Sequence, residues 1–311
     1  MFTSGGRKRV LKDVEKETTT TTTTTTTALR ERHEALDAGA ETGDGEGPAK
    51  KHKASEKVVD LVEEREVSVV HRHEDGMDKT TEIEWVTHKS SVLFGSYAYS
   101  RPQLSGRSTV GAGEGEKKKI AIAGFDLDGT IITTQSGFAF ARNEKDWKFL
   151  FGEKKTVDKF KKFIGDSSAS QNRLIVIFSN QNGIALNPKK VKADQTKTRL
   201  WQFKTKLAKL SSILARDQVL PFYVVAATNK DDFRKPQTGM WELVKEAHER
   251  HLAGADGNQQ QTTIELDKED SYFVGDAAGR KGDHSAVDKE FAQNLGVRFY
   301  TPEEYFDDAS D

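Results

Sequence analysis

The stretch GFDLDGTII, residues 124–132, ends an apolar run with two carboxylates that stand one residue apart. Acidic side chains are depleted inside strands, so Asp126 and Asp128 are expected just where a strand runs out. In open α/β sheets, ligands bind at the carboxyl ends of the strands. The stretch therefore predicts a strand that delivers two carboxylates to the functional edge of a sheet.

Downstream of this stretch, apolar runs alternate with helical patterns. The predicted strands are 120–126, 174–179, 222–226, 271–274 and, with a weaker pattern, 298–300. The predicted helices are 156–164, 196–214, 238–251 and 285–295. This alternation predicts an α/β fold with a doubly wound, mostly parallel sheet that helices cover on both faces. The aromatic and β-branched segment 85–99 is consistent with an early strand or a docking segment.

The composition predicts one folded domain behind a tail. Of the 311 residues 35% are hydrophobic, and these are concentrated after about residue 83. Ten consecutive threonines, Thr18 to Thr27, lie in a charged, glycine-dotted region that cannot bury a core. We therefore predict a disordered low-complexity tail over residues 1–82 and a single domain over residues 83–311.

Charge, cysteine content and hydropathy limit the possible functions. The formal net charge of −1 indicates no global nucleic-acid or membrane surface, and the sequence contains no cysteine for disulfides, thiolate zinc sites or catalysis. Neither a signal peptide nor a membrane span is recognisable, so we expect a soluble intracellular protein, with a monomer as the default oligomeric state. Basic runs at 7–9 and 50–53 favour the nucleus over the cytoplasm, with solvated tail charges as an equal alternative. The tail histidines His71 and His73 have no third ligand nearby and are interpreted as surface residues.

Four polar signatures follow the predicted strands. They are DLDGT at 126–130, SNQNG at 179–183, RKPQTGM at 234–240 and GDAAG at 275–279. Each alone is weak, because strand-end loops are often acidic and the other three are common as caps, helix entries and turns. In a parallel doubly wound sheet, however, all four converge on one edge. Together they predict a site for phosphoryl transfer.

Each side chain of this constellation has a candidate role. Asp126 would attack phosphorus and form an aspartyl phosphate, and Asp128 would act as general acid and then general base. Mg²⁺ held by Asp126, the Asp128 backbone and Asp276 would offset the repulsion between carboxylate and phosphate. Ser179 and Lys235 would bind the transferring oxygens.

A second group of residues is expected to contact the substrate. The candidate substrate-binding residues are Gly129, Thr130, Asn180, Arg234 and Arg280. Gly129 and Thr130 would let backbone N–H groups approach the phosphate oxygens. The arginines, together with Lys281, would contact flanking phosphates of a nucleic acid. The lysines at 189, 190 and 192 are either further phosphate contacts or a solvated helix entry.

The order of these motifs resembles the haloacid dehalogenase (HAD) superfamily. The fuller strings AGFDLDGTIITTQSG, IFSNQNGI, FRKPQTGMW, FVGDAAGR and DHSAVDKEFAQNLGV with TPEEYF resemble the phosphatase domain of the polynucleotide kinase/3′-phosphatase family over roughly residues 85–306. The resemblance implies a HAD-like (Rossmannoid) fold and a Mg²⁺-dependent hydrolase that removes 3′-phosphates from DNA strand breaks during DNA repair. It also implies Asp126 as nucleophile, Asp128 as acid/base, Ser179 and Lys235 as phosphate ligands and Asp276 as a metal ligand.

Two aspartates of the DHSAVDKEFAQNLGV string each have two possible roles. Asp283 and Asp288 match a segment of the family, and they either support the metal or cap the following helix. Helix capping is the favoured interpretation, because aspartate is among the preferred N-cap residues.

The departures from the family narrow the expected activity. The sequence has no G-x-x-x-x-G-K-[ST], and GAGEGEKKK at 111–119 places Glu116 where the second glycine is needed. We therefore expect a phosphatase-only form without 5′-kinase activity or an ATP site. The gaps between motifs leave no room for a substantial cap domain, which favours a large substrate.

Two other functions stay open on the sequence alone. One is a capless phosphatase that acts on a small phosphomonoester. The other is a non-catalytic adaptor, which the intact Asp126, Asp128, Lys235 and Asp276 count against.

Overall fold

The structure, a computed structural model of the chain, describes seven stretches of residues. These are 22–25 and 65–68, for the backbone alone, and 83–99, 117–165, 172–186, 198–255 and 262–307. The expectations for the two tail histidines and for the lysines at 189–192 lie outside them. In the part of the chain that is described, no helix has the length and apolar character needed to cross a bilayer.

Strands and helices alternate along most of the described chain. The strands are β1 (Thr22–Thr25), β2 (Arg65–Ser68), β3 (Ile83–His88), β4 (Val92–Tyr97), β5 (Lys117–Phe125), β6 (Ile132–Thr133), β7 (Lys148–Phe149), β8 (Arg173–Asn180), β9 (Phe222–Ala227), β10 (Thr263–Leu266), β11 (Tyr272–Val274) and β12 (Arg298–Tyr300). The helices are α1 (Glu153–Ile164), α2 (Arg199–Leu214), α3 (Gly239–Ala255), α4 (Val287–Leu295) and α5 (Pro302–Phe306). All five predicted strands and all four predicted helices are confirmed, with ends displaced by a few residues.

The central sheet has the order β1-β2-β3-β4-β9-β8-β5-β11-β12, and β10 pairs with the start of β5. Pairing is parallel from β9 through β8, β5 and β11 to β12, which confirms the mostly parallel sheet. Segment 85–99 contributes to two strands, and this β3–β4 hairpin joins β9 antiparallel. From β5 the chain first builds outward through β8 and β9 and then returns to β11 on the other side. The order in which strands are added to the sheet therefore reverses between β5 and β11, a position where α/β folds bind ligands.

Successive apolar residues of the central strands lie on opposite faces of the sheet and so supply two cores, one on each face. One core packs α1, α2 and α5 through residues such as Phe160, Leu207 and Phe306. The other packs α3 and α4 through residues such as Val244 and Phe291. This confirms the helices on both faces, and it explains why residues 120–125 of β5, 174–178 of β8 and all of β9 are almost uniformly apolar.

A tight turn joins β3 to β4. Lys89 and Ser90 both have φ of 49°, and the Ser91 N–H donates to the His88 carbonyl at 3.0 Å. Positive φ at both central residues gives a turn that matches the twist of paired strands, although neither residue is a glycine. The turn thus fixes the register with which the hairpin extends the sheet.

A short hairpin and a loop follow the DLDGT motif. Strands β6 and β7 pair antiparallel, and the loop between them carries Phe138 and Phe140, which are 60% and 82% exposed. Asp146 closes the loop by accepting from the Ser136 N–H at 2.8 Å, the Ser136 hydroxyl at 2.7 Å and the Arg142 N–H at 2.9 Å. Among the described residues, this hairpin and α1 fill the gap between Asp128 and Ser179. The helix predicted for this gap is therefore confirmed.

Candidate active site

The four polar signatures meet at the carboxyl edge of the parallel strands, as predicted. Asp126 directly follows β5, and its N–H donates to the carbonyl of Val274, the last residue of β11, at 2.9 Å. Ser179 lies at the end of β8, and Asp276 lies just beyond β11. Since β5 stands between β8 and β11 in the sheet, Asp126 occupies the middle of this edge.

Lys235 brings the third signature to the same place. Its ammonium Nζ lies 2.5 Å from Asp126 Oδ1 and 2.7 Å from Asp288 Oδ1, and its side chain is almost fully buried. Asn180 fixes the loop that carries this lysine, because its amide accepts from the Lys235 N–H at 3.0 Å and donates to the Lys235 carbonyl at 3.2 Å. Asn180, expected to contact substrate, therefore uses its amide to position the backbone of Lys235.

Three carboxylates surround this ammonium group. Asp126, Asp276 and Asp288 each offer an oxygen, and these oxygens lie within 4.8 Å of one another. Because one lysine balances three carboxylates, the cluster has negative charge in excess when all of them are ionised. Oxygen ligands of this number and charge fit a hard divalent cation such as Mg²⁺. Two of the expected metal ligands, Asp126 and Asp276, belong to this acidic triad, and the third, the backbone of Asp128, stays a prediction.

The surroundings of the triad shift its titration. Burial raises the pKa of Asp126 well above its ordinary 3.8, the charges of Asp288 and Asp276 raise it further, and Lys235 opposes them. Burial, followed by the charge of Asp288, also raises the pKa of Asp276. For Lys235 burial lowers the pKa, but Asp126 and Asp288 outweigh it and the pKa is raised. The ammonium group therefore stays charged, and a bound cation would favour ionised carboxylates.

Asp288 is a part of the site that the capping interpretation missed. The N-cap of α4 is Ala286, without a side-chain cap hydrogen bond. Asp288 Oδ2 instead accepts from the Ala277 N–H at 3.1 Å, and its other oxygen pairs with Lys235. The expectation of helix capping is therefore wrong for Asp288. The feature that could have indicated this role is the position of Asp288 in the first turn of α4, the helix that follows the GDAAG motif.

Arg280 and Asp283 form a brace at the GDAAG motif. Arg280 Nε lies 3.0 Å from Asp283 Oδ2, and Nη1 lies 3.1 Å from Glu303. Asp283 also accepts from the backbone N–H groups of Ala278 at 3.1 Å and Arg280 at 3.0 Å. Asp283 thus orders this loop and caps no helix, which corrects the favoured interpretation. The charge of Arg280, expected to contact phosphates, is paired with these two carboxylates.

Gly129 is required by close approach as well as by backbone conformation. Its φ is +89°, and a Cβ at this position would lie 2.5 Å from Asp276 Oδ2. Its N–H donates to the Ile132 carbonyl at 2.7 Å, so the turn uses the group that was expected to contact phosphate. Thr130 follows with a fully buried side chain, and its hydroxyl has no hydrogen-bond partner among the described residues.

Asp128 lies at the rim of the site, where two side chains hold its carboxylate. Lys206 Nζ on α2 is 3.0 Å from Oδ1, and the side-chain amide of Gln181 donates to Oδ2 at 2.8 Å. The same amide donates to the Ser179 hydroxyl at 2.9 Å. Neither Lys206 nor Gln181 was predicted. Gln181 stands inside SNQNG, whereas nothing in the lysine-rich sequence of α2 distinguishes Lys206.

Arg234 lies next to Lys235 in sequence and is partly buried. Its Nη1 donates to the side-chain carbonyl of Asn182 at 2.6 Å, and burial lowers its pKa. Arg234 therefore joins the loop after β8 to the loop after β9, and its expected contact with substrate stays a prediction.

The fold and the site define an α/β protein with a buried acidic triad and one lysine at the carboxyl edge of a mostly parallel sheet. The family model described as polynucleotide kinase 3 phosphatase matches residues 121–306. This is more than half of the chain and includes every residue of the site. The chain therefore belongs to the polynucleotide kinase 3 phosphatase family.

Several curated proteins are similar to this chain. A bifunctional polynucleotide phosphatase/kinase of Schizosaccharomyces pombe is 39% identical over 190 residues, which are 61% of this chain and 38% of that protein. The polynucleotide 3′-phosphatase ZDP of Arabidopsis thaliana is 34% identical over 60% of this chain and 24% of its own length. The polynucleotide 3′-phosphatase of Saccharomyces cerevisiae is 33% identical over 60% of this chain and 87% of its own length. The chain thus matches a minor part of the first two relatives and most of the third.

Proposed function

We propose that this chain is a Mg²⁺-dependent polynucleotide 3′-phosphatase with a HAD-like fold that removes 3′-phosphates from DNA strand breaks during repair. The observation that carries the proposal is Asp126, a carboxylate at a strand end, buried against Lys235 and inside a triad that fits a divalent cation. Membership of the family and the names of the relatives support the choice of substrate. With DNA as substrate, the basic runs of the tail favour action in the nucleus.

The first chemical step transfers the phosphoryl group to the protein. An Asp126 carboxylate oxygen attacks phosphorus, and the bond between phosphorus and the 3′-oxygen breaks with its electron pair going to that oxygen. The 3′-oxygen takes the proton of the Asp128 carboxyl group and leaves as the alcohol. An aspartyl phosphate remains at Asp126.

The second step releases phosphate. A water oxygen attacks the phosphorus of the aspartyl phosphate and gives its proton to the Asp128 carboxylate. The bond between phosphorus and Asp126 breaks, and its electron pair returns to the carboxylate. Both aspartates are then in their starting forms, so Asp128 acts in turn as acid and as base.

The remaining groups bind and orient the phosphate. Asn180 holds the backbone of Lys235, and the Lys235 ammonium lies within ion-pair distance of Asp126, where it can bind transferring oxygens. Ser179 would donate its hydroxyl from the end of β8. Asp126, Asp276 and Asp288 would hold Mg²⁺. When bound, the cation supplies positive charge that offsets the repulsion between the nucleophile and the phosphate.

The open rim supports a polynucleotide rather than a small metabolite. Among the described residues no cap domain covers the site, and the loop after β6 carries the exposed rings of Phe138 and Phe140. Aromatic rings exposed beside a nucleic-acid site stack on unpaired bases without regard to sequence. A single strand that ends in a 3′-phosphate would reach Asp126 past this loop.

The test is phosphate release from a duplex oligonucleotide with a one-nucleotide gap and a 3′-phosphate. Wild type would be compared with Asp126→Asn, with Mg²⁺ or chelator, beside a 5′-phosphate substrate and para-nitrophenyl phosphate. We expect Mg²⁺-dependent release at the 3′ end alone, and a loss of more than about a thousandfold in Asp126→Asn.

Asp158→Asn is the matched control, because Asp158 is an exposed aspartate of α1 that pairs with Lys154. It should retain wild-type activity. Turnover of para-nitrophenyl phosphate without release from the oligonucleotide would contradict the DNA substrate and indicate a small phosphomonoester. Full activity of Asp126→Asn would contradict the nucleophile.

A further inference from the structure

Helix α2 contributes a side chain to the site that none of the four polar signatures contains. We propose that Lys206 is a positioning residue, which together with Gln181 holds the Asp128 carboxylate in the orientation needed for proton transfer. The inference rests on the proposed function, because it concerns the group that protonates the leaving oxygen. It assigns Lys206 a contact with Asp128 rather than with the DNA strand.

The contacts of Asp128 carry this inference. Its side chain is 52% exposed, so packing does little to restrict its rotamers. Each of its two oxygens nevertheless has a donor, Lys206 Nζ at 3.0 Å for Oδ1 and the Gln181 amide at 2.8 Å for Oδ2. Donors on two separate elements fix both the position and the rotation of a carboxylate. Asp128 is therefore held in one orientation although it lies at the rim.

Lys206 itself differs from an ordinary surface lysine. Its side chain is 12% exposed, although it ends on a group that is half exposed. Exposed ion pairs are weak because two long, mobile side chains must be ordered together. Here the lysine stem is already ordered by burial along α2, so less conformational freedom is lost in the contact. The position of α2 therefore determines where the Lys206 ammonium lies and, through the ion pair, where the Asp128 carboxylate is held.

The other lysines of this part of α2 have different environments. Lys204 is buried, with its ammonium 5.7 Å from the centroid of the Trp85 ring. Lys209 is exposed. Lys204 therefore stabilises the fold and Lys209 faces the solvent, whereas Lys206 positions Asp128. Lys209 consequently offers a control on the same helix.

Orientation matters for this step because proton transfer requires hydrogen-bond reach of the leaving oxygen. A sugar 3′-oxygen leaves poorly without a proton, whereas para-nitrophenolate leaves without one. A misoriented Asp128 should therefore slow the release of a 3′-alcohol more than the release of para-nitrophenol. A lysine that bound the DNA strand would instead change substrate affinity and its salt dependence.

The experiment measures kcat and KM for Lys206→Met, Lys206→Arg, Gln181→Met and the control Lys209→Met. The substrates are the 3′-phosphorylated oligonucleotide and para-nitrophenyl phosphate. We expect Lys206→Met to lower kcat on the oligonucleotide by roughly tenfold to a hundredfold with KM within about twofold of wild type. The decrease on para-nitrophenyl phosphate should be smaller, Lys206→Arg should recover part of the loss, and Gln181→Met should show the same pattern more weakly.

Three results would overturn the proposal. They are a raised KM with unchanged kcat, an equal loss on both substrates, and a Lys206→Met variant as active as Lys209→Met. Should Lys206→Met fail to fold, Lys206→Arg and Gln181→Met still test the positioning. Failure of the proposed function is a separate result, since wild type would then release nothing from the oligonucleotide. Glycerol 2-phosphate, whose leaving group is also an alcohol, would in that case replace the oligonucleotide in the same comparison.

Discussion

Asp126 and Asp288 share one ammonium group, and this sharing determines how the site can be occupied. Lys235 offsets part of their charge, while Asp276 adds a third carboxylate whose pKa is raised chiefly by burial. Buried charges are tolerated when they are paired, but here one positive charge faces three negative ones. The remaining negative charge is an electrostatic reason for a divalent cation to bind where the carboxylate oxygens converge.

Replacing Gly129 by alanine should damage the site while leaving the fold intact. The new Cβ would lie 2.5 Å from Asp276 Oδ2 and would also strain a backbone with φ of +89°. Since Asp276 must move, we expect a loss of phosphatase activity of about tenfold or more and weaker Mg²⁺ binding, measured by steady-state kinetics and calorimetry. Gly137→Ala is the control, because Gly137 has φ of +77° but no atom within 4 Å of the added Cβ. Equal activity of the two variants would show that the close approach is unimportant.

Asp146 should make the stability of its loop depend on pH. The N–H of Arg142 and the side chain of Ser136 lower the pKa of Asp146 from 3.8 to about 2. An acid whose pKa is lower in the folded state than in the unfolded state stabilises the fold at pH values above 3.8. This stabilisation is lost as the pH falls through about 2. Asp146→Asn should therefore lower the free energy of unfolding at neutral pH, and its difference from wild type should shrink towards about pH 3. Urea unfolding at both pH values measures this, and a difference that did not change with pH would contradict it.

At the scale of residues, the sequence predicted side chains that lie in recognisable motifs. Asp126, Asp128, Lys235 and Asp276 all lie at the predicted edge. Lys206 could not be predicted, because its partner is 78 positions away and three lysines of one helix look alike before the helix is packed. Contacts between distant elements depend on packing geometry, which a local sequence pattern does not contain.

At the scale of elements, the turn of the β3–β4 hairpin offers a substitution that should raise the stability of the fold. Ser90 has φ of 49°, which costs free energy in a residue with a Cβ and little in glycine. Ser90→Gly should raise the free energy of unfolding by about 0.5 kcal/mol, less than the full relief because glycine also loses more entropy on folding. Thr263→Gly, at an exposed position of β10, should lower it. Urea unfolding measures both, and a loss of stability in Ser90→Gly would contradict the turn geometry.

The sequence predicted long periodic elements well and short elements poorly. The central strands are recognisable because both their faces are buried, which leaves uninterrupted apolar runs such as 174–178. Strand β10 was missed because only Ile264 of its four residues is buried. The two-residue strands β6 and β7 carry no periodicity that a pattern could reveal.

For the whole molecule, Mg²⁺ should act as a stabilising ligand. The acidic triad unites a residue that follows β5, a residue that follows β11 and a residue of α4, so a cation bound there favours the folded chain over the unfolded chain. At a concentration about a hundredfold above Kd, we expect the free energy of unfolding to rise by about 2.7 kcal/mol, and chelator to reverse the change. Asp288→Asn should lose most of this gain, whereas Asp158→Asn should keep it. Thermal unfolding with and without Mg²⁺ measures the effect, and equal gains in both variants would place the cation elsewhere.

The distance along the chain between the members of the site has a consequence for biosynthesis. Lys235 and Asp126 are separated by 109 positions, and Asp288 comes later still. Contacts of such long range form late, since the chain must close large loops before the contacts can stabilise it. A ribosome-bound chain that has not yet exposed α4 lacks one carboxylate of the triad. Hydrolytic competence should therefore arise only after α4 has been translated, and a nascent fragment that stops before Asp288 should be inactive.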